Sequence, residues 1–443
     1  GSTNGTCLRC LALVVFRRLT MFSVDSNNSG KTSETEWTST YTFIVSTMSV
    51  DLNLPEDRAS PRPRRKSKRV WVGGTAIGDG APVAVQSMCT TLTHDVDATI
   101  RQIELLQEAG CEIARVAVPD KRAGEALKEV VRRSILPVVA DIHFDYRLAL
   151  MALDAKVHKL RLNPGNIHNK DGVREVVKRA KEQKTPIRIG VNHGSIGDRQ
   201  PGDIRDEAQR MVDLAVSEIR ILEDLDFDDI VVSVKAFEVP VMIAAYRRLA
   251  KAVPYPLHLG VTEAGTALAG SIRSAAGMSV LLYEGIGDTI RVSLSEDPVV
   301  EVKAAFDLLK SLGLRDQGLT LVACPSCGRA DIDLIPLAKV AEERLRALPV
   351  PMKVAVMGCE VNGPGEAKDA DVGIAGGVGK GAIFRKGKIV GTFPEDKLMD
   401  GLLAEIDKIL VENGKEPYSQ KAPKLSHEGQ LTPGRSVPAG QRS

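Results

Sequence analysis

The chain has 443 residues, 43% of them hydrophobic and 26% charged, with a net charge of +2. That length suits one large domain with a smaller one, and the near-neutral balance excludes a general bias toward polyanions. No apolar run approaches the roughly 18–20 residues of a membrane helix. The longest near the start, CLALVVF at 10–16, has no clear small-residue cleavage site after it. A cytoplasmic protein with no nucleic-acid or membrane partner is expected.

Residues 1–69 read as a disordered extension. Ten of the nineteen residues at 31–49 are Ser or Thr, without helical or strand period. The leading Gly-Ser has the look of a cloning remnant, with Met21 or Met48 as the natural start. The run RPRRKSKR at 62–69 carries six basic residues but no interleaved aromatics, so it reads as a solvated linker rather than a nucleic-acid patch. The Pro-, Gly-, Ser- and Gln-rich tail at 419–443 reads as disordered too.

Between these ends, eight short apolar, β-branched runs recur: PVAVQSM (82–88), EIARVAVP (112–119), LPVVADIHF (136–144), HKLRLNPGN (158–166), PIRIGVNHG (186–194), DIVVSVKA (229–236), PLHLGVTEAG (256–265) and DTIRVSLS (288–295). Helical patterns lie between them, such as 97–110 and 297–313. The second begins at an acidic residue followed by Pro and stops at Gly. Eight such units predict an α/β fold, a closed (β/α)8 TIM-type barrel over 70–317, with a doubly wound open sheet as the alternative. A smaller α+β domain is expected over 318–418.

Strands buried on both faces should be almost wholly apolar. These carry Arg115, Asp141, Arg161 with Asn163, Arg188 with Asn192, Lys235, Glu263, and Arg291 with Ser293 near their C-terminal ends. Within each pair the spacing of two or four puts both side chains on one face. Buried charge is costly unless paired or solvated, so the pattern predicts one polar mouth at the end where barrel active sites sit. A ring of ion pairs is the alternative, but five cations face only Asp141 and Glu263. The surplus points to an anion, and several arginine forks suit a diphosphate. Glu263, in GVTEAG, is the acid/base candidate, with a simple counter-ion as its other reading.

The stretch GIAGGVGKGAIF at 373–384 looks like a phosphate-binding loop, but Ile374 and Gly381 stand where that motif needs Gly and Ser/Thr. Turns and close backbone approach explain it better. Cys324 and Cys327 in CPSCGR, with Cys359 in GCEVNGPGEA, give the smaller domain three thiolates and no fourth. No histidine lies between 259 and 426 to complete a zinc site. Spacing alone leaves zinc and an iron–sulfur cluster open and favours the cluster; the radical-type CxxxCxxC is absent, so a reductive role fits. Cys89 and Cys111 read as small core residues.

The segments VQSM, VADIHF, KLRLNPGNI, RIGVNHGS, GVTEAGT, RVSLSEDP, CPSCGR and GCEVNGPGEA resemble, in order, the 4-hydroxy-3-methylbut-2-en-1-yl diphosphate synthases (the IspG or GcpE family). The likeness runs from about Val70 to about Lys415. Ser326 stands where the family often has Thr, the N-terminal extension departs from the family, and the plant-type insert is missing, which gives the compact bacterial form. The resemblance implies a [4Fe–4S] cluster on Cys324, Cys327 and Cys359 with Glu366 as a displaceable, catalytically relevant fourth ligand. It implies reductive ring opening of 2-C-methyl-D-erythritol 2,4-cyclodiphosphate with electrons from flavodoxin or ferredoxin. By the same resemblance, Arg161, Asn163, Arg188, Asn192, Lys235, Arg291 and Ser293 hold the diphosphate, while Arg115 and Asp141 meet the hydroxyl side.

The helix at 297–313 should run back about 25 Å from the mouth, and LRDQG is too short to return the cluster domain to its own barrel. A head-to-tail homodimer, each cluster domain capping its partner's barrel, is therefore expected, as the family resemblance also implies. A zinc-stabilised phosphate-binding module and a pterin- or phosphosugar-type barrel enzyme are the rival classes.

Overall fold

The structure, a computed structural model, describes residues 60–198, 205–359 and 367–423. An antiparallel hairpin, β1 (Val70–Val72) and β2 (Thr75–Ile77), precedes eight parallel strands. These are β3 (Ala84–Met88), β4 (Ile113–Ala117), β5 (Val138–Asp141), β6 (Lys159–Arg161), β7 (Ile187–Asn192), β8 (Ile230–Lys235), β9 (His258–Leu259) and β10 (Thr289–Ile290). Each lies inside one of the eight predicted runs. Strands β3 to β8 pair in chain order, and β10 pairs with both β3 and β9. A parallel bridge from Val232 to Leu257 joins β8 to β9 and closes the ring, so the barrel and not the open sheet is the fold.

The helices that follow the strands are α1 (Val96–Glu108), α2 (Lys121–Arg133), α3 (Tyr146–Asp154), α4 (Lys170–Gln183), α5 (Glu207–Glu223), α6 (Val239–Ala252), α7 (Ala267–Tyr283) and α8 (Pro298–Ser311). Asp95, Asp120, Asp145, Asn169, Asp206 and Asp297 cap their helices by accepting a first-turn N–H, which satisfies donors that would otherwise be orphaned. Outward strand residues such as Val85, Val116, Ala140, Leu160, Ile189 and Val232 pack with helix residues such as Ile103, Leu127, Leu153, Val176 and Leu309 in one core. Inward residues obey a different rule. At the N-terminal end of the strands, Ala84, Ile113 and Val139 meet Val72 and Ile77, so the hairpin seals that end with apolar side chains. The carboxylate and guanidinium groups Asp141, Arg161 and Arg291 lie toward the other end.

The basic run is no solvated linker. The Arg64 guanidinium lies 2.9 Å from Asp288, the Ser67 hydroxyl donates to the same carboxylate, and Arg65 donates to the carbonyls of Ala250, Val253 and Tyr255. Backbone N–H groups of Arg62, Arg65 and Lys68 bond Tyr283, Gly285 and Pro254. The physical reason is local: the C-terminal turn of α6 and the buried Asp288 concentrate negative partners at one spot. The expected boundary at residue 69 therefore falls too late, and the rest of that extension lies outside the described residues. The boundary at 418 falls too early, because Tyr418 is buried and donates its hydroxyl to the Arg344 carbonyl, while Asp407 accepts the N–H of Ser419. The tail beyond Pro423 lies outside the described residues.

A second sheet follows, in the order β11 (Leu319–Ala323), β12 (Met352–Met357), β13 (Val372–Gly377), β14 (Lys380–Arg385), β15 (Lys388–Pro394). The first three strands are parallel and the last two antiparallel. With α9 (Leu334–Leu345) and α10 (Leu398–Glu412) it builds a separate core around Leu337, Val354, Ile374 and Leu402. The glycine-rich stretch is the β13–β14 hairpin, turned at Gly379 with φ +67°, and a Cβ at Gly373 would sit 2.5 Å from the Phe384 ring. Close backbone approach accounts for those glycines, as expected. Between the two cores, Arg315 donates to the Val83 carbonyl at 2.8 Å and pairs with Glu112 at 3.1 Å. That fastens the connection after α8 to the N-terminal ends of β3 and β4. No described helix is long and apolar enough to cross a membrane.

Asp288→Ala strands the Arg64 guanidinium and the Leu257 N–H that the carboxylate also receives at 2.8 Å. The folded state should lose about 3 kcal/mol, the scale of a broken buried pair, read as a lower urea midpoint. A loss under about 1 kcal/mol, the scale of a surface pair, would return the basic run to solvent.

Candidate active site

On the C-terminal half of the barrel, inward positions that would normally carry Val or Leu carry charge. Asp141, Arg161, Asn163, Arg188 and Lys235 are all buried there. Asp141 sits between two guanidinium groups, 3.8 Å from Arg115 and 3.4 Å from Arg161, with His143 Nε2 at 3.5 Å. Burial alone would raise its pKa. The His143 hydrogen bond and the charges of Arg115, Arg161 and Arg188 outweigh it, holding the carboxyl well below the ordinary range. Asn163 bonds Gly190 reciprocally, accepting its N–H at 2.8 Å and donating to its carbonyl at 2.9 Å, while Arg161 donates to that carbonyl at 3.0 Å. Strand β6 is thereby pinned to β7 just where both side chains enter the mouth.

Arg291, just past β10, is held by a residue the sequence reading missed. Its guanidinium lies 3.0 Å from Glu301, which also accepts the Ser87 hydroxyl at 2.9 Å and the Leu294 N–H at 2.9 Å. The signal for Glu301 is visible in retrospect: it interrupts the apolar stripe Pro298, Val302, Ala305, Leu309 on the buried face of α8.

Ion pairing therefore accounts for part of the mouth and stops. Arg188 is fully buried and donates to the Ser233 hydroxyl at 2.8 Å, but its Nε and Nη2 have no partner among the described residues. Lys235 is buried with no carboxylate in ion-pair contact among the described residues, and burial together with Arg188 pushes its pKa well below that of an ordinary lysine. Burial likewise brings Arg115 down to about 10. Buried basic groups in excess of their counter-charges are the arrangement that a bound anion would balance.

Two inward glycines make room for these side chains, and sequence reasoning passed over both. A Cβ at Gly190 would lie 2.8 Å from Arg161 Nε. A Cβ at Gly260 would lie 2.6 Å from Lys235 Nζ and 2.8 Å from the Arg291 carbonyl oxygen. Glycine inside a strand at inward parity was the available signal.

Three expected residues form no side-chain hydrogen bond or ion pair with this network among the described residues. Asn192 ends β7 opposite Lys235 in the ladder, and Ser293 lies half-buried two residues past Arg291. Glu263 is exposed, four residues beyond β9, and bonds none of the mouth cations. Its φ of +53° is unusual for a side chain of that kind and aims it differently from the strand pattern that suggested it.

In the second sheet, Cys324 stands one residue past β11 and Cys359 two past β12, at the same ends of adjacent parallel strands. All three thiols are free, with Cys359 buried and Cys327 exposed. The Gly358 N–H points at Cys324 Sγ from 3.3 Å, and the Asp331 N–H bonds the Gly358 carbonyl at 2.8 Å, drawing the Cys327 loop onto the end of β12. Backbone and side-chain donors of Arg329 lower the Cys327 thiol pKa. Among the described residues no three metal-binding side chains are gathered closely enough to hold an ion, and Glu366 lies outside them. The donor set fits an iron–sulfur group: soft thiolates, an N–H directed at a ligand sulfur, and no histidine.

Comparison with known proteins agrees with this division. The GcpE TIM-barrel domain matches residues 67–306 and the GcpE protein C-terminal domain matches residues 320–408. A relative from Anoxybacillus flavithermus is 54% identical over 354 residues, 79% of this chain and 96% of its own, and one from Bacillus pumilus is 52% identical over 364, 81% and 97%. Both carry the name 4-hydroxy-3-methylbut-2-en-1-yl diphosphate synthase (flavodoxin).

Gly260→Ala should displace Lys235 at the scale of an overpacked core, about 1–3 kcal/mol. Calorimetry with inorganic diphosphate should then show affinity reduced at least about fivefold. Unchanged affinity would remove Lys235 from the anion site.

Proposed function

The chain belongs to the GcpE family of 4-hydroxy-3-methylbut-2-en-1-yl diphosphate synthases, and on that premise we propose that it reductively opens and dehydrates 2-C-methyl-D-erythritol 2,4-cyclodiphosphate. The product is (E)-4-hydroxy-3-methylbut-2-enyl diphosphate, an isoprenoid precursor of the non-mevalonate route. Two electrons and two protons enter, and one water leaves. The observation that carries the reading is the pair Arg188 and Lys235, buried basic groups with no carboxylate in ion-pair contact among the described residues.

Arg188, Arg161, Lys235 and Arg291 hold the diphosphate, with Asn163, Asn192 and Ser293 supplying neutral hydrogen bonds. Fork-shaped guanidinium groups on several strands fix both phosphates at once, and exclusion of water strengthens each contact. Asp141, kept ionised by its neighbours, accepts from the hydroxyl side of the substrate, with Arg115 steadying it. Glu263 delivers a proton to the departing hydroxyl oxygen so that it leaves as water. Its left-handed backbone supports that role, since strain of this kind clusters at functional positions. Cys324, Cys327 and Cys359 would hold a [4Fe–4S] cluster, with Glu366 as the exchangeable ligand. Bound there, the cluster supplies the electrons one at a time, and a flavodoxin or ferredoxin replenishes them.

The cluster has to reach a mouth on the far side of its own barrel. α8 leads away from that mouth, and Arg315 ties the connection to the opposite face. A head-to-tail homodimer in the cytoplasm, each cluster domain serving its partner's barrel, meets the need by symmetry. A fully active monomer would contradict it.

Protein purified without oxygen should contain about four iron and four acid-labile sulfide per chain and turn over the cyclodiphosphate; zinc without sulfide would contradict the reading. Glu263→Gln should retain substrate affinity while turnover drops by about 100-fold or more, as for a lost acid/base. Turnover near wild type would leave Glu263 a counter-ion.

A further inference from the structure

Beneath the mouth lies a second polar layer to which neither the proposed reaction nor the ion pairs above give a role. Lys159 on β6 is two residues before Arg161, so it faces the same way, and it is fully buried. Its ammonium has one hydrogen-bond partner, the amide oxygen of Gln86 at 3.2 Å. On β9, His258 is fully buried and bonds the Thr289 hydroxyl through Nδ1 at 2.6 Å. His258 Nε2 and Gln86 Nε2 are buried without partners among the described residues.

No carboxylate is in ion-pair contact with Lys159 among the described residues. Of the charged groups facing it, Arg188 on β7 and Arg115 on β4 are repulsive, and His258 feels Lys235 as well as Lys159. The buried acids of the barrel are committed elsewhere, Asp141 to Arg115, Arg161 and His143, Glu301 to Arg291, Asp288 to Arg64, and Glu218 to the Gly165 N–H. Burial first, then Arg188 and Arg115, lowers the Lys159 pKa well below that of an ordinary lysine. An anion bound above reverses the field. It neutralises the guanidinium charges that oppose a second ammonium and attracts that ammonium directly, at a depth where water screens neither effect.

We propose that Lys159 is the seat of a proton taken up from solvent when a cyclic diphosphate binds in the mouth above it. The proton goes to Nζ and is lost again when the product leaves. Lys159 is thus a positioning residue: it touches no reacting atom, and its charge secures the diphosphate from below only while the site is occupied. The identity of the anion rests on the function proposed above, and the placement of Lys159 does not.

Calorimetry of the oxidised holoenzyme without an electron donor, titrated with the cyclodiphosphate in two buffers of different protonation enthalpy, tests this. The phosphates of the cyclic ligand stay ionised near neutral pH, so any proton taken up belongs to the protein. Binding should take up as much as about one proton per site and weaken by up to about tenfold per unit rise in pH. Lys159→Met should bind without that uptake. Lys159→Arg, charged at every pH, should bind with near-native affinity and a flat pH dependence, and either variant decides if the other fails to fold. Wild-type binding without uptake overturns the proposal. Uptake undiminished in the folded variants assigns the proton to another group, Lys235 foremost, and overturns it as well. Absence of binding overturns the functional reading and this proposal together.

Discussion

A fully buried guanidinium, two of whose nitrogens lack partners among the described residues, is the feature around which this molecule is organised. Taking Arg188 out of water costs several kcal/mol unless a counter-charge compensates, yet the barrel keeps it beside Lys235 and Lys159. The rest of the interior limits that cost. Asp141 is shared between Arg115 and Arg161, Glu301 takes Arg291, and Gly190 and Gly260 clear volume for the side chains. The β1–β2 hairpin seals the other end with Val72 and Ile77, so solvent that could screen these charges enters by the mouth. What remains unbalanced is positive charge, which the cyclic diphosphate of the proposed reaction would offset.

The second sheet uses the same architectural device for different chemistry. Side chains at the C-terminal ends of adjacent parallel strands converge without any loop having to travel far. In the barrel that end gathers basic side chains, which under the proposed function would hold phosphate oxygens. In the smaller sheet it brings Cys324 and Cys359 to neighbouring strand ends, with a backbone N–H directed at one sulfur. The connection fastened by Arg315 links the two while beginning at the face opposite the mouth. That geometry is what supports the homodimer of the proposed function.

Much of this was legible in the amino-acid order because barrel strands are short and their period is strict. The β-branched runs marked all eight strands even where β9 and β10 keep only two ladder residues. Arg161 with Asn163 and Arg188 with Asn192 marked one face by parity alone. Other features depend on side chains meeting across the barrel, which no local pattern reports. Glu301 breaks the apolar stripe of α8, but its partner Arg291 is not visible in that stripe. Lys159 reads as a strand-edge lysine until the layer of Gln86 and His258 encloses it. The basic run at 62–69 has the composition of a linker, and only the position of Asp288 and the α6 carbonyls makes it structural. Glu263 was found by composition within GVTEAG, whereas its left-handed backbone carries it away from the cations that sequence spacing suggested it would join. The role of Glu366 rests on family resemblance, since no spacing rule singles out a carboxylate seven residues after a cysteine.

The central claim is that uncompensated cations on β7 and β8 exist to receive a diphosphate, and a crystal structure of the oxidised enzyme with the cyclodiphosphate tests it most directly. The account predicts phosphate oxygens within hydrogen-bond distance of Arg188 Nε or Nη2 and of Lys235 Nζ, with Asp141 still between Arg115 and Arg161. A ligand bound elsewhere, or one that leaves both Arg188 nitrogens and Lys235 without partners, would contradict it.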